Sequence, residues 1–131
     1  MRPRYRDLFA AFRDPDPARA DAAFDAVLFD RAEALPDLYE LYQISHGELL
    51  MRYYAVQLMG FAEDENAIPM VMEALGDREA LVRAEACRAL EDLRANQAIS
   101  KLEERVQDVD RDVRRAAREA LAALGVAGYR D

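Results

Sequence analysis

The stretch Leu81-Val82-Arg83-Ala84-Glu85-Ala86-Cys87-Arg88-Ala89-Leu90 returns 31 residues later as Asp112-Val113-Arg114-Arg115-Ala116-Ala117-Arg118-Glu119-Ala120-Leu121, with Val, Arg, Ala and Leu at equal offsets and no gap. One step of 31 toward the N-terminus meets Met51, Arg52, Ala55 and Met59, which keep the order apolar, Arg, small, apolar. A turn two residues longer, around Ser45-His46-Gly47, brings Ala18, Arg19 and Ala22 into line as a first, weaker copy behind Asp14-Pro15-Asp16-Pro17. A fixed period of this length marks a repeat architecture.

A second pattern lies between these copies. Ala67-Ile68-Pro69-Met70-Val71-Met72-Glu73-Ala74-Leu75 matches Ala34-Leu35-Pro36-Asp37-Leu38-Tyr39-Glu40-Leu41-Tyr42 at an offset of 33, and Ala98-Ile99-Ser100-Lys101-Leu102-Glu103-Glu104-Arg105-Val106 at 31. In both patterns the apolar residues fall at helical spacing: Val82, Ala86, Leu90 and Leu93 in the first, Ile68, Val71, Met72 and Leu75 in the second. Each period therefore holds two amphipathic helices. Pro36 and Pro69 sit near helix starts, where a missing N–H is harmless. Gly76 and Gly125 punctuate helix ends, and Gly60 marks either an end or a close-packing site. The reading places helices near 4–13, 17–31, 34–44, 48–62, 66–76, 79–94, 96–107 and 110–124. Hairpins of this kind bury both faces only by stacking. The expected fold is all-α, a right-handed α-α superhelix of about seven to eight helices, forming one domain over 1–131.

The composition agrees and removes several function classes. A chain 52% hydrophobic and 34% charged, with 5 Gly and 5 Pro, has the balance of long helices. A net charge of −8 disfavours nucleic acid and anionic membrane, which need a cationic field. The densest cationic stretch, Arg111, Arg114, Arg115 and Arg118, is interleaved with Asp110, Asp112 and Glu119 and reads as a solvated, charge-paired helix face. Cys87 is the single cysteine, which leaves no internal disulfide. No apolar run is long enough to span a membrane, and Met1-Arg2-Pro3-Arg4-Tyr5-Arg6 is not followed by a signal-type apolar segment. A cytoplasmic protein is expected.

The motif Asp77-x5-Arg83-x2-Ala86-x3-Leu90, repeated as Asp108-x5-Arg114-x2-Ala117-x3-Leu121, resembles the HEAT repeat, and most of all the short bacterial kind shared with the phycobilin lyase-like HEAT proteins. The resemblance spans roughly 14–125 and is strongest in the last two copies. It implies a ladder of turn Asp and helix Arg along the stack, with structural roles for Asp77, Asp108, Arg52, Arg83 and Arg114. His46 stands where the pattern has an Asp, which breaks the ladder there. The resemblance also implies a scaffold that binds macromolecules on a concave surface formed by the second helices.

Chemistry-bearing motifs are few. His46 is the only histidine, so there is no His pair for a metal; where the di-iron enzymes built on this fold carry several His-Glu pairs, this chain offers only His46-Gly47-Glu48. A turn or cap role is expected for it. Cys87 has no acid-base partner in its pattern and reads as buried and inert. Glu63-Asp64-Glu65 and Glu103-Glu104 read as solvated faces or turns. No phosphate loop or nucleophile elbow is present. No enzyme activity, cofactor or metal is expected.

The most suggestive surface feature is a column of glutamates, Glu40, Glu73 and Glu104, at one position of three successive second helices. Helical phase puts it off the apolar stripe, on the side expected to be concave. With Asp37, Tyr39, Met70, Lys101 and Arg105 beside it, it is the candidate docking stripe for another protein, through a basic or amphipathic segment. The bland alternative is that Glu is simply a good exposed helix former. A second functional reading, an accessory lyase- or chaperone-like protein acting on a cofactor- or chromophore-bearing partner, needs a cleft lined by acids and by Tyr39, Tyr42, Tyr53 and Tyr54. Ten of the eleven Phe and Tyr residues lie at or before Phe61, so Tyr5, Phe9 and Phe12 are expected either to cap the stack or to meet a second chain, and partner specificity is expected in this aromatic half.

Overall fold

Prolines and turn aspartates set the helix starts. Pro3 and Pro17 open α1 (Pro3–Ala11) and α2 (Pro17–Phe29), while Pro36 and Pro69 lie in the first turns of α3 (Leu35–Ile44) and α5 (Ala67–Ala74). First-turn amides have no carbonyl partner within the helix, so proline loses nothing there. The remaining helices are α4 (Leu49–Gly60), α6 (Ala80–Asp92), α7 (Ile99–Arg105), entered through a 3-10 turn at Asn96–Ala98, and α8 (Arg111–Ala123). This computed structural model describes residues 1–129 and has no strand among them; of the domain expected over 1–131, Arg130 and Asp131 lie outside the described residues. Eight helices stand where the periodicity puts them, most ends agreeing within two residues.

Neighbouring helices pair as α1/α2, α3/α4, α5/α6 and α7/α8, and the four hairpins stack into a solenoid. The leading helix is thus the outer member of the first hairpin. Tyr5 and Phe9 lie in its core at 2% exposure each. The apolar stripes meet between the layers: Val82, Ala86, Leu90, Val113, Ala117 and Leu121 from one side, Leu38, Ile68, Val71 and Leu102 from the other, all buried. Within the stack, α4 packs directly on α6 and α6 on α8, whereas α3, α5 and α7 touch one another little. Small residues permit this approach. A Cβ on Gly60 would fall 2.7 Å from Ala89 Cβ and 2.9 Å from its Cα, and Ala84, Ala116 and Ala120 are buried alongside. One layer packed closely and the other splayed bends the stack toward the close layer. The α4–α6–α8 layer thus forms the inner side of the bend, and the expectation that the glutamate-bearing helices α3, α5 and α7 line the concavity is corrected: they lie in the splayed outer layer.

The ladder joins the later hairpins. Arg52 donates from Nε to Asp77 Oδ2 at 3.0 Å and from Nη2 to Oδ1 at 3.2 Å, while its Nη1 donates to the carbonyls of Ser45 and His46 at 3.0 and 2.8 Å. Arg83 repeats this with Asp108 at 2.9 and 3.0 Å and with the carbonyl of Asp77 at 2.8 Å. Each aspartate also accepts the amide two residues on, at Glu79 and Asp110, which orders the turn. Burial alone would raise both aspartate pKa values; the arginine forks and turn amides outweigh it and hold them below the usual carboxylate range. The ladder stops at His46, which contributes only its backbone carbonyl, to Arg52 and to Arg78.

Candidate functional site

The outer face carries the glutamate column, and most of its members already have partners. Asp37 is buried at 4% exposure and bound by Arg2, whose backbone N–H and Nε each donate to it at 2.9 Å. Burial would raise the Asp37 carboxyl, but the Arg2 bonds prevail and lower it. Glu40 meets the chain's amino terminus at 3.0 Å. Tyr39 donates its hydroxyl to Glu73 at 2.6 Å, and that bond raises the phenol pKa. Lys101 and Glu104 are exposed and 3.5 Å apart, Met70 is half-buried, and Arg105 turns back to Asp108 at 3.2 Å. The column is contiguous only in register; its three acids engage an amine, a phenol and a lysine. Arg2 and Met1 reach it from the first helix, and no helical pattern reveals that contact.

The inner face is different. From α1 across α2 to α4 runs a path of rings: Phe9 to Phe12 at 5.6 Å, Phe12 to Phe24 at 5.8 Å, Phe24 to Tyr54 at 5.8 Å and Tyr54 to Tyr53 at 5.9 Å between centroids. These edge-on and tilted arrangements are the favourable ones for aromatic pairs. Unlike α4 and α6, the backbones of α2 and α4 do not pack directly. The rings separate them and leave an open cleft of about 240 Å³ lined by Phe12, Ala20, Asp21, Phe24 and Tyr54. One turn before Tyr54 stands Leu50, 54% exposed, and 31 residues beyond it Leu81 holds the equivalent place on α6, 44% exposed. Two large apolar side chains thus stand in one exposed column where the third repeat unit has Asp112. Glu85, at the position equivalent to Tyr54, is buried at 7%; burial raises its pKa, and Arg88 donates to it at 3.0 Å and pulls the other way. Sequence periodicity contained the Leu50/Leu81 signal, since the two are aligned, but neither stands out against the regular apolar stripe.

The four tyrosines considered for a chromophore or cofactor cleft do not converge. Tyr39 and Tyr42 face the outer layer and donate to Glu73 and Asp77, at 2.6 and 2.8 Å, while Tyr53 and Tyr54 lie on the inner face. Tyr42 is raised in pKa by burial, with the Asp77 bond adding to it. Cys87 is fully buried, which pushes its thiol up to about 12 and leaves it a poor nucleophile at neutral pH. Among the described residues no group of three His, Cys, Asp or Glu is arranged to hold a metal. None of their helices is long and apolar enough to cross a membrane. The arginines of α8 depart from expectation. Among the described residues Arg111, Arg114, Arg115 and Arg118 have no carboxylate within ion-pair distance, because Asp110 instead accepts the Val113 amide as the helix cap and Asp108 faces Arg83 and Arg105. Arg114 turns to the carbonyls of Asp108 and Val109, and Arg118 lies 5.6 Å from the Tyr129 ring.

Residues 43–122, covering the ladder and both copies of the opening motif, match the family model of HEAT repeats. The chain belongs to the HEAT-repeat family. Among solved structures it is similar to a chain in the complex of CpcE and CpcF of phycocyanin lyase from Nostoc sp. PCC7120, with a TM-score of 0.54 at 16% identity. That alignment covers 92% of this chain and 65% of the other, so this HEAT-repeat chain spans less than two thirds of its neighbour's length. At such identity the likeness concerns the fold alone. No curated protein matches the sequence.

Proposed function

We propose that this HEAT-repeat chain is a protein-binding scaffold whose working surface is the inner face of α2, α4 and α6, not the glutamate column of the outer face. The supporting observation is the aromatic cleft between α2 and α4, with Leu50 and Leu81 aligned beside it. An open cleft floored by ring faces accepts one large apolar side chain, and the aligned leucines continue the apolar track along the groove. Asp21 at the cleft, with Asp25 one helical turn on, adds negative charge at the rim. The partner is then an amphipathic segment with an apolar anchor and basic flanks. The competing reading, an accessory protein acting on a cofactor-bearing partner, has less support: the open cavity of about 400 Å³ beside Tyr42, Glu73 and Asp77 is lined by neither Tyr53 nor Tyr54, and its tyrosine and acids are already bonded to Arg52, to Tyr39 or to one another.

The test is affinity capture from the native cell with three baits: the natural chain, Tyr54→Ala with Leu50→Asp and Leu81→Asp, and Glu40→Lys with Glu73→Lys and Glu104→Lys. Proteins kept by the natural and glutamate-column baits and lost by the inner-face bait support the proposal. Loss on the glutamate-column bait alone overturns it and returns the site to α3, α5 and α7.

A further inference from the structure

We propose that copies of this chain stack head to tail, with Arg114 of one copy forking Asp14 of the next as an additional rung of the internal ladder. In each complete rung the arginine uses Nη1 on the carbonyls of its own turn and presents its Nε–Nη2 edge to an aspartate 25 residues further on. Arg114 makes the first half of this arrangement, with Nη1 donating to Asp108 O at 2.9 Å and Val109 O at 3.1 Å. Its Nε–Nη2 edge meets no carboxylate among the described residues.

Asp14 supplies the matching half. Its Oδ1 accepts the Asp16 amide at 2.8 Å, as Asp77 accepts Glu79 and Asp108 accepts Asp110 at 2.9 Å. In all three turns the inner-layer helix begins three residues after the aspartate, at Pro17, Ala80 and Arg111. No guanidinium or amine pairs with Asp14 among the described residues. An open donor and an open acceptor of the same bidentate geometry thus stand at opposite ends of one stack.

Charge and shape point the same way. The α1/α2 hairpin carries Asp7, Asp14, Asp16, Asp21 and Asp25, of which, among the described residues, only Asp16 meets a cation, Arg19 at 3.7 Å, while Arg2, Arg4 and Arg13 are turned to Asp37, Asp30 and Glu48. The α8 end shows Arg111, Arg114, Arg115 and Arg118, against which the exposed acids of the helix are Asp112 and Glu119, a net excess of two positive charges. Counting back by the same 63 residues that separate Asp77 from Asp14, Ala26 is the equivalent of Ala89; two periods after Gly60 comes Ala122. Ala122 carries a Cβ where Gly60 has none, so the joint between copies corresponds to that of α6 with α8, where Glu91 and Ala120 hold these two places, rather than to that of α4 with α6. A contact of unlike ends is open-ended, so it yields linear oligomers unless the rotation closes a ring.

Sedimentation velocity on the full chain over a concentration series, at low and high salt, tests this together with Asp14→Arg and Arg114→Asp, each checked for folding by circular dichroism. The natural chain is expected to grow in mass with concentration and to dissociate in high salt. Each variant alone should associate at least tenfold more weakly, and an equimolar mixture should regain association, because Arg at 14 of one chain then faces Asp at 114 of the other. A natural chain that stays monomeric at low salt overturns the proposal, as do variants that associate like it or a mixture that gains nothing. Should Arg114→Asp fail to fold, Arg115→Glu with Arg118→Glu takes its place, and association unchanged by that pair and by Asp14→Arg is equally fatal.

Discussion

The joint between α4 and α6 and the joint between α2 and α4 solve one packing problem in opposite ways. At the first, Gly60 and Ala89 let two backbones touch and the Arg52–Asp77 rung locks the turn. At the second, Phe12, Phe24 and Tyr54 hold the helices apart; Arg19, aligned with the ladder arginines by sequence, falls one residue short of that place and turns to Asp16, so Ala20 and His46 stand where a ladder arginine and its aspartate would be. The contrast separates structure from opportunity. A joint closed by small residues and a buried ion pair offers no room to a ligand, whereas one wedged by rings exposes apolar surface that another chain can cover.

Removing one partner of a buried ion pair leaves the other charge unpaired, so Asp77→Ala is expected to cost about 3–5 kcal/mol in chemical denaturation. Asp14→Ala, the same turn residue without a rung, should cost no more than about 1 kcal/mol, the range of a lost capping bond; equal losses would erase the distinction between the joints. Next in size is Gly60→Ala, whose Cβ would strike Ala89 main chain and is expected to destabilise by about 1–3 kcal/mol. The counterpart at the open joint, Ala20→Val, projects into the cleft and should change stability by less than about 1 kcal/mol while weakening partner capture.

Acid provides a third comparison. Asp77 and Asp108 have folded pKa values below their ordinary ones, so the stability they contribute is fully present above the ordinary carboxylate range and is lost as pH falls through it toward the folded values. Denaturation midpoints measured from pH 6 down to pH 3 should drop, and Asp77→Asn should flatten the slope. The smallest effect is on the outer face: Glu40→Gln, Glu73→Gln and Glu104→Gln are each expected to shift stability by about 0.5 kcal/mol or less, as exposed pairs do.

Helix positions, the repeat and the ladder were legible because they rest on short-range periodicity. Val82, Arg83, Ala86 and Leu90 name their own roles once a second copy is aligned with them. What escaped depends on contacts between distant segments. Asp37 has the pattern of an exposed first-turn acid, and only the arrival of Arg2 from 35 residues away buries it. The direction of curvature depends on how closely two layers approach, and that rests on contacts between helices of different repeats, Gly60 with Ala89 among them. The aromatic half was recognisable as unusual in composition, but that Phe12, Phe24 and Tyr54 meet around one cleft depends on contacts between α2 and α4 and the turn after α1, which no local pattern shows.

In a stack coupled only between neighbours, cooperativity is as strong as each joint. The later hairpins share two buried rungs, while the first is tied to them by apolar core contacts of Tyr5, Phe9 and Val27, by the ring cluster and by ion pairs with an exposed member, such as Arg13–Glu48. The first hairpin, which has no buried rung to the rest of the stack, is therefore expected to be the unit of lowest stability. Hydrogen exchange should show α1 and α2 opening before the other helices, more so in high salt, giving a binding cleft one of whose walls can swing while the other is fixed.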